Sequence, residues 1–589
     1  MKMYNMYQSR KIIRLAILLF LAIILYRCAK IGTISGGPKD TAPPKMIGSN
    51  PALYAKNFNG QRIRIDFDEY IVLKDLDKEF NVSPPMRKQP KIWVKDKSVI
   101  IQYNDSLHAN TTYTFSFGNS IVDNNEGNVL ENFEFVVSTG DTIDSLGIFG
   151  TVVDAYRMKP PTEKTLVALY DNLADSAPLK MRPRYTARVS KDGFYHIHHV
   201  KAGKYRLFAF GDKNYNYQYD PYNETFAFID SVIELTPQNI ARHATLWLMD
   251  TLPKSDTTHH VVMDSTRLKN LKNALHADLR LFTEINSQQY IRGYYRPLRE
   301  LLTLKFALPI AIDSVQIQPI YLHHPHSWYK TEILQAHSDS ILLWLTDTSL
   351  SRIDTLRMRV TYPSMNKQNV DTLMFRYFDS EAKHKENKMA ITFSAANTIA
   401  PNQVLSLETQ YPIEQYFTDS IQILEAQDTL WTPAKFTLQP DSFSTRKFYL
   451  KKLWESEKKY RLIVLPSAFV NIYGKTCDTL RASFMIQRAE SFGTLYIQPL
   501  NFFYPCVVQL LQKDAVMYEQ YITHEQKIKW KYLQPGEYQL RTIWDIDGNK
   551  TFTPGNYFSR RQPERVEVYP ETVKIRANWE IEIYWPIKP

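Results

Sequence analysis

Apolar residues along this chain recur at every second position in short runs, the period of a strand with one buried face. Ile63-Arg64-Ile65-Asp66-Phe67, Ser98-Val99-Ile100-Ile101-Gln102-Tyr103 and Thr112-Tyr113-Thr114-Phe115-Ser116-Phe117 carry the pattern early, with Asn, Asp and Gly between them. Leu279-Arg280-Leu281-Phe282 and Ser340-Ile341-Leu342-Leu343-Trp344-Leu345 carry it further on. No long stretch has helical periodicity apart from the N-terminus. The pattern predicts an all-β chain.

One stretch occurs twice. Gly203-Lys204-Tyr205-Arg206-Leu207 leads into Asp212-Lys213-Asn214-Tyr215-Asn216-Tyr217-Gln218-Tyr219-Asp220, and Gly536-Glu537-Tyr538-Gln539-Leu540 leads into Asp545-Ile546-Asp547-Gly548-Asn549. The offset that sets Gly203 on Gly536 also sets Asp212 on Asp545, so one register aligns both segments. A duplicated strand-and-loop predicts an array of small modules.

Composition adds bounds. A length of 589 residues suggests roughly four domains. A 44% hydrophobic share suffices for packed cores, and abundant Tyr and Phe favour strands. The formal charge of +11 is partly local, because Lys2, Arg10, Lys11, Arg14 and Arg27 fall in an opening stretch that holds no acid. No Lys/Arg stripe with interleaved aromatics appears, so nucleic acid is not expected as a partner.

The N-terminus sets the expected compartment. Residues 2–14 are basic and Leu15–Tyr26 are apolar. That run is shorter than the ~20 residues that span a bilayer and suits a signal-peptide core. It stops at Cys28 and resembles a bacterial lipoprotein signal, with Leu25 at the family's position three before the Cys. The resemblance implies that residues 1–27 are removed and Cys28 is lipidated. Arg27 departs from the family's usual small residue, and an uncleaved N-terminal anchor is the alternative. Residues 28–43, with Gly36-Gly37-Pro38-Lys39-Asp40, read as a tether.

Pro43-Pro44, Ile65-Asp66-Phe67-Asp68-Glu69-Tyr70, Tyr113-Thr114-Phe115 and Asp123-Asn124-Asn125-Glu126-Gly127-Asn128 resemble the bacterial Ig-like domain, here over 44–141. With the tether, the match is to Ig-like lipoproteins of Bacteroidota-type bacteria. Gly150-Thr151-Val152-Val153-Asp154, Val167-Ala168-Leu169-Tyr170 and Gly193-Phe194-Tyr195-His196-Ile197 resemble a transthyretin-like β-sandwich over 142–250, which in that family is an accessory. Residues 251–275 read as a linker and 276–380 as a further β-sandwich. A second Ig-like module is expected over 389–488, where Tyr460-Arg461-Leu462 corresponds to Tyr113-Thr114-Phe115 and Gly474 to Gly127. A second transthyretin-like module is expected over 489–589.

Candidate chemistry is sparse. From Asp212, oxygen-bearing Asn214, Asn216, Gln218 and Asp220 follow at alternate positions, and from Asp545, so do Asp547, Asn549 and Thr551. Hard oxygen ligands on a turning loop suit structural Ca²⁺, with Glu224 as a further oxygen for the first loop. Both loops lack the Gly and the Glu of an EF-hand, and Asx turns need the same residues without metal. His196 and His198 share a strand face that could hold zinc, but no third ligand stands at a recognised spacing, so a surface strand is expected. His323-His324-Pro325-His326 reads as a loop. Asp66 and Asp68 would share a strand face, and in the resembling family that stretch is structural. Cys477 and Cys506 could pair as a disulfide outside the cytoplasm or stay as buried thiols. No Gly-x-Ser-x-Gly, His-Glu-x-x-His, phosphate loop or dinucleotide fingerprint occurs.

The expectation is a non-catalytic outer-membrane lipoprotein acting as an interaction subunit of an envelope complex. The resemblance suggests outer-membrane β-barrel assembly as the process. The alternative is a surface adhesin or glycan-binding lipoprotein, with Tyr215, Tyr217, Tyr219 and Tyr222 as an aromatic platform. In Bacteroidota-like lipoproteins, surface export goes with acidic residues after the lipidated Cys. Ala29-Lys30-Ile31-Gly32 has none, which leans to the periplasmic face and leaves the choice undecided.

Overall fold

The computed structural model describes residues 40–241, 271, 273–286, 288–320, 327–336, 338–364, 367–378, 389–428 and 430–587. Leu15–Tyr26, Cys28 and most of the tether and of the 251–275 linker lie outside them. No helix among the described residues is long and apolar enough to cross a membrane. The chain is all-β, a tandem array of sandwiches in two compact units, residues 1–145 and 146–589.

The first unit sets a four-stranded sheet, ordered Met46–Asn50, Arg62–Phe67, Ser98–Gln102, Lys91–Lys95, with a three-stranded one, Asn81–Ser83, Thr112–Gly118, Phe133–Ser138. Alternation turns Ile63, Ile65 and Phe67 into a core with Val99, Ile101, Phe115 and Phe135. A ribbon pairs Ile71–Leu73 with Ile121–Asp123. Past it, the buried Asp123 carboxylate accepts the backbone N–H groups of Asn125, Glu126, Gly127 and Asn128 at 2.6–3.1 Å. Gly127 sits there at φ +80°, where a side chain is strained. The acidic run that carries the resemblance is thus a turn folded around one carboxylate.

The second unit holds four modules. The first runs from Leu146–Asp154 through Leu166–Tyr170, Tyr185–Arg188, Phe194–Val200, Gly203–Phe210 and Thr225–Phe228. Ala274–His276 and Leu279–Thr283 then run parallel to Leu146–Asp154 and complete its sheet. This corrects the expected boundary at 275–276. A strand that ends one module has the same alternation as one that begins the next, and periodicity does not name its partner. The last module repeats this pattern. Glu580–Pro586 returns parallel to Gly493–Leu500, Ile528–Leu533 flanks its other side, and the facing sheet is ordered Ala515–Ile522, Cys506–Gln512, Gly536–Trp544, Val566–Val568.

Between them stand two more sandwiches. In the module from Ile291 to Arg376, four strands face a sheet of Gln316–Pro319, Thr355–Ser364 and Lys367–Arg376. The module from Ile391 to Ile486 repeats the strand order of residues 46–138, with Thr398–Ile399 and Leu430–Pro433 added at the edges of its second sheet, and keeps the short ribbon, here Ile413–Tyr416 with Phe469–Asn471. Tyr113 and Tyr460 play one part in these two modules: each hydroxyl accepts the backbone N–H five residues upstream, from His108 and Glu455. The two middle modules are joined at Glu332, whose buried carboxylate accepts Trp344 Nε1 at 2.8 Å, Arg446 Nε at 3.0 Å and the Ser444 hydroxyl.

Cys477 and Cys506 are both buried, and neither is in a disulfide. They belong to separate cores, Cys477 with Ile399, Leu462 and Phe469, Cys506 with Val508, Leu540 and Trp544. The disulfide is corrected to two unpaired thiols, since each side chain faces into its own module. Burial pushes the Cys506 thiol up to about 12.

Candidate functional site

The duplicated loops are the candidate site. In the first, strand Gly203–Phe210 delivers Asp212 to the edge of the core, 4% exposed. Its Oδ1 accepts the Asn216 N–H at 3.0 Å, Asn214 Oδ1 accepts the same N–H at 3.1 Å, and Asn216 Oδ1 accepts the Gln218 N–H at 2.7 Å. These are successive Asx turns. The amide nitrogens of Asn214 and Asn216 both donate to Asp220 Oδ2. The buried Glu224 braces the whole, Oε1 taking the Lys213 N–H at 2.9 Å and Oε2 the Asp220 N–H at 3.0 Å.

The second loop has the same skeleton. Asp545 Oδ2 accepts the Lys550 N–H at 3.1 Å, Asp547 Oδ1 the Asn549 N–H at 3.1 Å, and Asn549 Oδ1 the Thr551 N–H at 2.7 Å. Asp547 Oδ2 also accepts the Thr553 hydroxyl at 2.7 Å. Here Glu564 is the brace, Oε1 taking the Ile546 N–H at 2.9 Å and Oε2 the Thr553 N–H at 2.8 Å. Ile546 and Thr553 hold the places in this copy that Lys213 and Asp220 hold in the other, so the two glutamates do one job.

Sequence spacing missed Glu564. The offset that aligns everything else puts Tyr557 opposite Glu224, because the second loop carries extra residues before its glutamate. The remaining signal was a buried acid just before strand Val566–Val568.

Asp545, Asp547 and Glu564 bring one carboxylate oxygen each within 4.8 Å of one another. Desolvation, then the charges of Asp547 and Asp545, hold the Glu564 carboxyl above the usual range, against the two N–H groups it accepts. Glu224 is raised by desolvation too, with Asp220 and Asp212 adding to it, and Asp212 is raised by its own burial. The half-buried Gln218 and the exposed Thr551 lie on their loops as the spacing predicts; the Thr551 hydroxyl donates to Asn549.

The extra residues of the second loop dock onto the first module of this unit. Tyr557 enters a cage of rings, its centroid 5.7 Å from Phe208, 5.0 Å from Phe226 and 5.2 Å from Phe228. Its N–H donates to Glu284 Oε1 and its hydroxyl to the Asp175 carbonyl at 2.8 Å. Glu284 Oε2 accepts the Tyr219 hydroxyl at 2.9 Å. Arg560 pairs with Asp175 at 2.6 Å, and Arg541 lies 3.9 Å from the centre of the Tyr156 ring. Tyr217 and Tyr219 are buried in this neighbourhood, leaving Tyr215 and Tyr222 exposed.

The other candidates stand apart. His196 and His198 share a face, with ring centres 3.5 Å apart. Desolvation, then His198 and His199, holds His196 well below its ordinary value. Among the described residues the three-ligand group is the acidic one, not this pair. His323, His324 and His326 lie outside the described residues. Strand Arg62–Phe67 ends before Asp68, so Asp66 and Asp68 do not share a strand face. Asp66 accepts from the Ser98 hydroxyl and from Arg64 Nε, which lower its pKa, while Asp68 accepts the Lys45 N–H. A cleft of about 630 Å³ between the two middle modules is lined by Ile312, Tyr329, Lys330, Leu343, Ile413 and Ile472.

The bacterial Ig-like domain family matches residues 40–139. No curated protein matches the chain. Among solved structures the chain is similar to part of alpha-2-macroglobulin from Escherichia coli, 10% identical over 32% of this chain and 72% of that one, with a TM-score of 0.16. It is similar to the four N-terminal Ig domains of Dscam1, 9% identical over 72% and 98%, with a TM-score of 0.15. The major pilin subunit BcpA of Bacillus cereus is 9% identical over 75% and 99%, with a TM-score of 0.14. Scores this low carry no argument about what the chain binds.

Proposed function

We propose that this chain is a non-catalytic envelope protein, lipidated at Cys28 on the outer membrane, that holds partners together as an interaction subunit. The observation that supports it is the joining of modules through buried contacts. Glu332 locks the two middle sandwiches, and Tyr557 locks the last module onto the first of its unit. Loops and strand edges held in fixed relation are what a scaffold offers to several partners. Machinery that assembles outer-membrane β-barrels is the class of complex we favour, and it rests on the family resemblance.

A mild-detergent pull-down of the tagged protein from its own membranes tests this, with mass spectrometry of what accompanies it. A stoichiometric outer-membrane barrel is expected; recovery of the protein alone sinks the assembly role. Metabolic labelling with a fatty acid, lost on Cys28→Ala, tests the anchor.

A second reading, a glycan-binding adhesin, rests on the exposed rings of Tyr215 and Tyr222. Glycan-array binding lost on Tyr215→Ala would favour it.

A further inference from the structure

We infer that the second acidic loop binds a calcium-class divalent cation through Asp545, Asp547 and Glu564, and that its duplicate at Asp212 does not. Three carboxylates converge within 4.8 Å, and none of them forms an ion pair among the described residues. Asp545 is 2% exposed, and its Oδ1 is fully buried without a hydrogen-bond partner. The Tyr521 hydroxyl lies within hydrogen-bonding reach of Asp545, which after desolvation is what raises its pKa, but its geometry does not make a bond to the buried Oδ1. A buried carboxylate oxygen that makes no well-formed hydrogen bond, beside two more carboxylates, is satisfied by a cation.

The ligand chemistry selects the ion. All the donors of the cluster are hard oxygens, and among the described residues no sulfur or imidazole belongs to it. Asn549 and Thr551 add neutral oxygens at alternate positions. The exposed Asp547 leaves one side open to water, which supplies the remaining ligands of a six- to eight-coordinate ion.

The duplicate is the built-in control. Where the second loop has Asp547, the first has Asn214, and its amide, with that of Asn216, donates to Asp220 Oδ2. Asp212 Oδ1 accepts an N–H, and no carboxylate oxygen of that loop is buried without a partner. The first loop is complete without a metal. The second needs one. Because Glu564 and Thr553 bracket the residues that carry Tyr557, an ion there also stiffens the segment docked on the first module.

The test uses the purified mature chain, stripped with EDTA and titrated with CaCl₂ alone by calorimetry, and with Tb³⁺ by luminescence sensitised through Tyr521 and Trp544. One equivalent is expected, with a Kd on the order of 0.1–1 mM, as for extracellular calcium modules. Asp547→Asn, an exposed change that leaves the core intact, is expected to weaken binding at least about tenfold and to abolish the calcium-dependent rise in Tm. That factor is about 1.4 kcal/mol. Asp220→Asn in the first loop should leave both unchanged. No binding at about 5 mM calcium, ten times the middle of that range, overturns the proposal. So does binding that survives Asp547→Asn, or a second equivalent lost on Asp220→Asn.

Discussion

Tyr217 and Lys550 are equivalent positions of the two loops and share one backbone conformation, φ 63° in each. Two positions earlier in each loop, Tyr215 at φ 59° answers Gly548 at φ 77°. Left-handed backbone at a residue with a side chain costs roughly 1–2 kcal/mol, so neither loop holds this shape by propensity. The Asx turns and the bracing glutamate hold it.

Gly548 isolates that cost, since a Cβ built on it meets nothing within 4 Å. Gly548→Ala is expected to lose about 1 kcal/mol from backbone strain alone, read as a lower urea midpoint with an unchanged m-value.

The ring cage makes the opposite kind of prediction. Tyr557 is buried among Phe208, Phe226 and Phe228, and its removal leaves a cavity and an unanswered Asp175 carbonyl. Tyr557→Ala should cost about 3 kcal/mol and let the first and last modules of the unit separate, seen as a larger radius of gyration by X-ray scattering. Tyr557→Phe keeps the ring, loses one hydrogen bond and should cost about 1 kcal/mol without that expansion.

At the middle junction, Glu332→Gln would leave the mostly buried Arg446 with only the half-exposed Glu408, 3.5 Å from its Nη1. Breaking a buried pair from one side costs about 3–5 kcal/mol, and calorimetry should show the two middle modules melting earlier than in the parent. Replacing both partners with apolar residues should be milder.

Asp123 sets an acid limit on the N-terminal unit. Burial works to raise its pKa, but the N–H groups of Glu126, Asn128, Gly127 and Asn125 outweigh that and hold it at about 2. A carboxyl lowered from an unfolded value near 4 stabilises the folded turn above about pH 4. That contribution is lost as pH falls through 2. Hydrogen exchange of a peptide covering 121–138, corrected for intrinsic rate, should report faster opening in acid. Asp123→Asn should open faster at neutral pH, the difference from the parent shrinking toward pH 2.

The sandwiches were legible because alternation sets which face is buried, and Ile63, Ile65 and Phe67 all point inward as their spacing requires. The duplicated loop was legible because its turns are local, each carboxyl or amide reaching an N–H two to five residues away. What escaped was non-local. The strand Leu279–Thr283 alternates like any other, and only its parallel partner shows that it ends a module rather than begins one. Glu564 escaped because its brace spans an insertion. The two cysteines carried no signal of which core each would enter.

The cage that receives Tyr557 has a consequence for how the chain comes into being. Its walls lie between Phe208 and Phe282, and the residue that fills it lies near the far end. A contact so distant in sequence closes late and slowly. A chain emerging N-terminus first therefore carries a patch of uncovered phenylalanine rings while the residues between Phe282 and Tyr557 are made, and is most prone to aggregate in that interval.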